Sequence, residues 1–226
     1  MEFQKFNKIP RLSRDCIITE KIDGTNAQIF IYNKNEDVSL LTLDFDNLVT
    51  DNFIHEYSLY NENGLYIFAG SRKRWLTEKK DNYGFAKWVQ ANAEELLKLG
   101  EGRHYGEWYG KGIQRKYGLE EKRFALFNVG RWHKNEKRLV SIDPETKEEK
   151  YTEQCPDCCE VVPVLYEGLF GTIQVNRYIE YLSYYGSKIV PGFRFPEGII
   201  IFHSASGKLF KKSLENDEKP KGQKDA

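Results

Sequence analysis

Residues 16–32 read CIITEKIDGTNAQIFIY, two runs in which apolar and polar residues alternate on either side of Asp23-Gly24. Alternation with a period of two marks a half-buried strand, and Asp-Gly is a strong turn pair. The stretch therefore predicts two strands around a tight turn. The first strand ends on Lys21. A lysine is a nucleophile only as the neutral amine, which requires burial or nearby positive charge, a bound metal included. At a strand end, beside a glycine that lets backbone approach a ligand closely, the amine can be held rigidly at the base of a pocket. By itself K-x-D-G is a weak signal, arising by chance in roughly one chain in twenty of this size. A solvated strand lysine before a turn is the plain alternative.

Working outward, residues 38–45 and 65–69 predict further strands, separated by a polar, Asn-rich loop over 46–64 with room for one short helix. A helix is predicted over 83–99, with Phe85, Trp88, Val89, Leu96 and Leu97 on one side. Asp81 or Asn82 would cap its start and Gly100 would end it. Strands follow at 103–109 and 123–129. The charged stretch 133–153 predicts an exposed hairpin or loop turning at Asp143-Pro144. A second helix is expected over 172–185, ending near Gly186, then strands at 197–203 and 207–212 and a polar, frayed tail. Strands outnumber helices and the two do not alternate regularly. The expected class is α+β, antiparallel sheets flanked by helices, with residues 1–226 forming one domain.

Composition narrows the function. A chain of 226 residues can bury about 70% of its unfolded surface, enough for its own core. The balance of 34 basic and 34 acidic residues excludes a histone-like, tail-driven binder but leaves room for an enzyme with a local basic groove. Four cysteines make no disulfide framework and suggest a reducing compartment. No stretch approaches the ~20 apolar residues of a membrane span, so a cytoplasmic protein without membrane contact is expected. Cys155, Cys158 and Cys159 have half the spacing of a zinc knuckle. With only His55, His104, His133 and His203 to complete a site, they read as packed or partly exposed loop thiols.

The stretch Thr19-Glu20-Lys21-Ile22-Asp23-Gly24-Thr25-Asn26 resembles the nucleophile motif of the covalent nucleotidyltransferase superfamily, which includes ATP-dependent DNA ligases, RNA ligases and mRNA capping enzymes. The Glu before and the Asn after the lysine look most like the nick-sealing RNA ligases of phage T4 type. Further matches fall in the superfamily's order: Ser71-Arg72, then Gly106-Glu107-Trp108-Tyr109-Gly110 continuing as Gly112-Ile113-Gln114-Arg115, then Phe124–Val129, Pro196–Ile200 and Lys211-Lys212. Together they span residues 16–222, and six in order are far more specific than one.

The resemblance implies a nucleotidyltransferase (ATP-grasp-like) core, expected here without the OB domain that DNA ligases add after the last motif. It makes Lys21 the nucleophile and Lys211 a catalytic cation at the triphosphate. Glu20, Asp23, Asn26, Arg72, Glu107, Phe127, Glu197, Lys211 and Lys212 become the ATP-binding set. Each role has a physical reason. Arg72 offers a rigid fork to ribose or phosphate oxygens. Glu107 can accept from ribose hydroxyls. Phe127 can stack on adenine, with Phe124 then the core member of the pair. Glu197 suits a hard cation, magnesium or manganese. Lys211 and Lys212 alternate faces, so one of them reaches the triphosphate. Leu209 and Ser213 stand where the superfamily's second lysine would fall, leaving Lys208 or Lys212 as its substitute. Asn128 replaces a usual Asp, and about fifty residues separate Lys21 from Arg72, more than in the phage relatives. The implied partner is nucleic acid, RNA ends in a nicked or broken duplex, with an accessory protein left open. Only twenty residues precede Lys21, which disfavours NAD as donor. The alternatives are a minimal ATP-dependent DNA ligase and a binding module of the same fold without catalysis.

Overall fold

The computed structural model describes residues 3–6, 8–35, 49–215 and 217–218. The chain forms two compact units, one from Met1–Ile22 with Val162–Ala226, the other from Asp23–Val161. The opening stretch is divided between them: β1 (Asp15–Lys21) belongs to the first and β2 (Thr25–Asn33) to the second. Both predicted strands exist, but the turn closes no hairpin. Each strand takes its partners from its own unit.

In the second unit the polar stretch holds more than the expected loop. It contains α1 (Asp51–Tyr57) and also β3 (Tyr60–Glu62), which turns at Asn63-Gly64 into β4 (Leu65–Ser71). The strand expected over 38–45 lies outside the described residues. After β5 (Trp75–Leu76), the helix predicted over 83–99 is broken into α2 (Phe85–Ala91), α3 (Ala93–Leu96) and a 3-10 turn, Leu97–Leu99. The break is at Asn92, with φ −114° and ψ 17°, whose side chain bonds the Trp88 carbonyl at 2.8 Å in competition with the helix ladder. The N-cap is Gly84 and not Asp81 or Asn82, although the Asp81 carboxylate reaches the first turn and accepts from the Ala86 N–H at 2.8 Å, and Gly100 (φ 74°) closes the segment.

β6 (Gly102–Gly110) and β7 (Lys122–Leu126) follow. β7 stops short of residue 129 because the backbone folds into turns, Val129 N–H donating to the Phe127 carbonyl at 2.8 Å. β8 (Trp132–His133) comes next, then the predicted charged hairpin as β9 (Leu139–Ile142) and β10 (Glu149–Tyr151). The Asp143 carboxylate holds its turn by accepting from the Glu145 and Thr146 amides. β11 (Glu153–Gln154) runs parallel to β8, and β12 (Cys159–Val161) parallel to β7. These two pairs correct the all-antiparallel expectation. The excursion between β7 and β12 is long enough for the chain to return and run the same way.

The main sheet has the order β12-β7-β6-β2-β4-β3, with β5 beside β4. One of its faces carries Ala27, Ile29, Ile67, Trp108, Phe124 and Leu126 into a core shared with Phe85, Val89 and Leu96 of the helices. That burial is the period-two pattern of the sequence meeting the helical stripe.

The first unit is a four-stranded antiparallel sheet, order β13-β1-β14-β15, with β13 (Val164–Leu169), β14 (Gly198–His203) and β15 (Lys208–Ser213). α4 (Thr172–Tyr185) has the predicted bounds and packs Leu182 against Cys16, Ile18, Ile199 and Ile201. Among the described residues no helix is long and apolar enough to cross a membrane.

Candidate active site

In the first unit, β1 carries Glu20 and Lys21 at its end, and pairing with β14 fixes their directions. Glu20 stands opposite Ile199 and Lys21 opposite Gly198. Successive strand residues point to opposite faces. Glu20 is buried on the face of Ile18 and Ile199, where its carboxylate accepts from the Ser187 hydroxyl at 2.6 Å and from the Lys188 and Ile189 amides at 2.7 and 3.0 Å. Burial pushes its carboxyl above the ordinary 4.5, and these hydrogen bonds with the Lys188 charge pull back part of the way. The residue grouped with the ATP ligands by resemblance thus spends both oxygens on the loop at 187–189.

Lys21 lies on the other face, its amine donating to the Glu197 carboxylate in an ion pair whose side chains are 19% and 9% exposed. Glu197 immediately precedes β14. At Gly198 the φ is +154°, and an added Cβ would lie 2.2 Å from the Lys212 carbonyl oxygen, so only glycine fits there. On β15, Lys211 stands opposite Ile200, and Lys212 opposite Ile199. Directly opposed residues share a face, so Lys211 is on the face of Thr19 and Lys21, two strands away. Ideal strand spacing puts the two Cα atoms roughly 10–12 Å apart. Lys212 and Lys208 are on the Glu20 face, and Lys212 pairs with Asp217 at 3.7 Å.

The second unit gathers the other group on the sheet face opposite its core. Asn26 stands directly across from Glu107 and donates to it at 2.9 Å, and the Gly24 N–H donates to the other Glu107 oxygen at 3.1 Å. Glu107 pairs with Ala125 on β7, and the ladder continues past the strand as the Phe127 N–H donates to the Tyr105 carbonyl at 2.9 Å. Phe127 and Tyr105 are both exposed on this face, 39% and 53%. Phe124, of the other parity, is fully buried against Phe85 and Trp88. Arg72 is exposed in the bend just after β4, while the neighbouring Arg74 is tied to the Lys80 and Asp81 carbonyls at 2.6 and 3.0 Å.

Asp23 is engaged by the chain itself. Its N–H donates to the Tyr117 hydroxyl at 2.8 Å, and its carboxylate accepts from Arg115 Nε at 3.1 Å. Both partners lie in the segment after Gly110-Lys111-Gly112, where Gln114, Lys116 and Tyr117 all have positive φ. Non-glycine residues in that region persist only when their surroundings over-determine them. Here buried Ile113 and Tyr117 and the Arg115–Asp23 pair do so. Sequence reasoning missed Tyr105, Arg115 and Tyr117 as site neighbours. Tyr105 was available from alternation with Glu107, whereas the loop contacts have no local signal.

Among the described residues no three His, Cys, Asp or Glu side chains gather to hold a metal ion. Magnesium keeps several waters and binds through one or two carboxylates plus phosphates, so its binding does not require such a cluster. Cys155 and Cys159 are buried and Cys158 half-buried, each a free thiol packed near the β7–β12 pairing.

The sequence model of the RNA ligase family matches residues 14–212, and the chain belongs to that family. No curated protein matches it. Among solved structures it is similar to several forms of the RNA ligase of Naegleria gruberi. One mutant with ATP and manganese has a TM-score of 0.47 at 16% identity, covering 90% of this chain and 51% of that one. Another mutant, without ligand, has 0.47 at 13%, covering 89% and 50%. A form with pyrophosphate has 0.42 at 16%, covering 88% and 49%. The chain thus spans about half the length of these structures.

Proposed function

We propose that this chain is an ATP-dependent RNA ligase, with residues 1–226 serving as one adenylyltransferase domain. The observation that carries the reading is the common face of Lys21 and Lys211, with the Lys21 amine against Glu197, in a chain of the RNA ligase family. Lys21 Nζ attacks the α-phosphorus of ATP. The bond from that phosphorus to the bridging oxygen breaks, and pyrophosphate leaves with the electron pair. Glu197 first takes one proton from the ammonium of the ion pair, leaving the neutral amine that attacks, and the second proton, released as the P–N bond forms, leaves with pyrophosphate. Lys211 offsets charge on the departing phosphates, the positioning and neutralisation that phosphoryl transfer demands. AMP then passes to a 5′-phosphate end, and a 3′-hydroxyl displaces it to join the strands. Asn26 and Glu107 hold the ribose hydroxyls, Arg72 binds ribose or phosphate oxygens, and Phe127 stacks on adenine. Glu20 and Asp23 serve the site by position, through the loops they anchor. A divalent cation bound at Glu197 with the phosphates would supply further charge neutralisation.

The test is incubation of the pure protein with magnesium and α-labelled ATP. A labelled, acid-labile adduct is expected, and Lys21→Ala should abolish it. An unlabelled wild type across pH 6–9 would sink the reading and leave a nucleic-acid-binding module. Sealing of matched nicked duplexes differing only in the sugars at the nick assigns the substrate. Faster sealing of the all-DNA nick would make the protein a DNA ligase.

A further inference from the structure

The first unit begins with a pattern that the catalytic reading does not use. Residues 3–14, FQKFNKIPRLSR, are four triplets of apolar, polar or proline, and basic residue, with Phe3, Phe6, Ile9 and Leu12 leading and Lys5, Lys8, Arg11 and Arg14 closing them. No acidic residue interrupts the run, and the other 30 of the 34 basic residues stand against 34 acidic ones, so the rest of the chain is net negative. The described part of this arm, residues 3–6 and 8–14, is irregular and exposed throughout, with Phe3, Phe6, Ile9 and Leu12 at 92%, 85%, 80% and 69%. Among the described residues none of its four cations forms an ion pair. The arm lies almost wholly ahead of the family match, which starts at residue 14.

Its far end is fixed. The Leu12 carbonyl accepts from His203 Nε2 at 2.7 Å, the Arg14 carbonyl accepts from the Phe170 N–H at 2.8 Å, and β1 then leads in seven residues to Lys21. In an extended chain of polyproline type, with three residues per turn, a period of three lines the cations along one edge and the apolar side chains along another. Pro10 favours that conformation. A row of cations meets backbone phosphates, and exposed aromatic rings beside it stack on unpaired bases.

From this we infer that residues 3–14 form a nucleic-acid-binding arm that grips a strand of the RNA substrate and leads it toward the end of β1. This deepens the ligase reading and rests on it for the identity of the strand. A lipid surface is the rival occupant of an apolar and basic arm, but the anchoring to β1 and the family assignment favour RNA.

The test compares wild type with a variant carrying Lys5→Gln, Lys8→Gln, Arg11→Gln and Arg14→Gln, both shown folded by thermal melts. Binding of a short 5′-phosphorylated RNA oligonucleotide is measured across a salt series. The variant should bind at least tenfold more weakly near 0.1 M salt. The slope of log K against log salt should be shallower by about 2–3, since each single-strand phosphate contact contributes about 0.7. Equal affinity and slope would overturn the proposal, as would unchanged RNA binding with loss of sedimentation on phosphatidylserine vesicles. Adenylation of the wild type is scored separately. If it fails while the arm still governs RNA binding, the catalytic reading falls and the arm stands.

Discussion

Lys21 and Glu197 meet as an ion pair across 176 residues of sequence, at the point where β1 ends and β14 begins. Removing the charge of Glu197 while keeping its shape isolates its part in the chemistry. Glu197→Gln should lower the rate of adduct formation from ATP by about 10²-fold or more, the scale of a lost proton acceptor. Its circular dichroism should remain that of the wild type. A variant labelling within threefold of wild type would remove Glu197 from the reaction.

Register separates the two terminal lysines. Lys211 shares a face with Lys21, whereas Lys212 lies on the Glu20 face and pairs with Asp217. Lys211→Ala should slow adenylation at least tenfold at saturating ATP, with Lys212→Ala changing it less than threefold. Stability should change by less than about 1 kcal/mol in the first, as for an exposed side chain. Labelling rates from single-turnover experiments decide it. The opposite ranking would mean that the triphosphate is met from the Glu20 face.

Phe124 and Phe127 offer a matched pair, three residues apart and of opposite burial. Phe124→Ala empties a packed core site and should cost roughly 3–5 kcal/mol of stability. Phe127→Leu should leave the melt nearly unmoved and weaken ATP use by about 1–3 kcal/mol, the worth of one stacked base. Urea titrations and ATP dependence of adenylation measure the two quantities. Reversal of the pattern would exchange the roles.

What sequence could reveal followed from what each signal encodes. Periodicity is local, so β1, β2, β6, α4 and the hairpin at Asp143 were legible from alternation, an apolar stripe and turn chemistry. Pairing is not local. Nothing in CIITEKIDGTNAQIFIY says that β1 joins strands near residues 164 and 198 while β2 joins others, because a turn pair fits a hairpin and a crossing between sheets equally well. The helix break at Asn92 was hidden for a related reason: an Asn inside an apolar stripe reads as a tolerated polar position until its side chain takes a backbone carbonyl. In the candidate site, the separation of Phe124 from Phe127 onto opposite faces was accessible to alternation, whereas Asn26 facing Glu107 depends on the pairing of β2 with β6. The contacts of Asp23 with Arg115 and Tyr117 were not accessible, since the match over Gly112–Arg115 carries no information on which distant residues a loop of left-handed residues will touch.

Glu20 gives a stability test that runs against the usual behaviour of a paired carboxylate. Its oxygens satisfy the Ser187 hydroxyl and two amides in a buried place, and burial raises its carboxyl above the ordinary 4.5. A folded state with the raised value holds the proton more tightly than the unfolded chain. Stability from this group is therefore full below the unfolded value and is lost as pH rises through the folded one. Glu20→Gln keeps one oxygen for the two amides and presents an NH₂ to the Ser187 oxygen, and it carries no such titration. Relative to this variant, the wild type should lose stability as pH rises above the ordinary 4.5, and the difference should be smallest at the acid end. Glu20→Ala leaves both amides without their acceptor. It should destabilise at every pH by about 2–5 kcal/mol, the cost of buried donors left unmade. Urea titrations of the three proteins at half-unit steps of pH measure both effects. A wild type that gains stability over Glu20→Gln as pH rises would show that the hydrogen bonds outweigh burial, reversing the assigned direction.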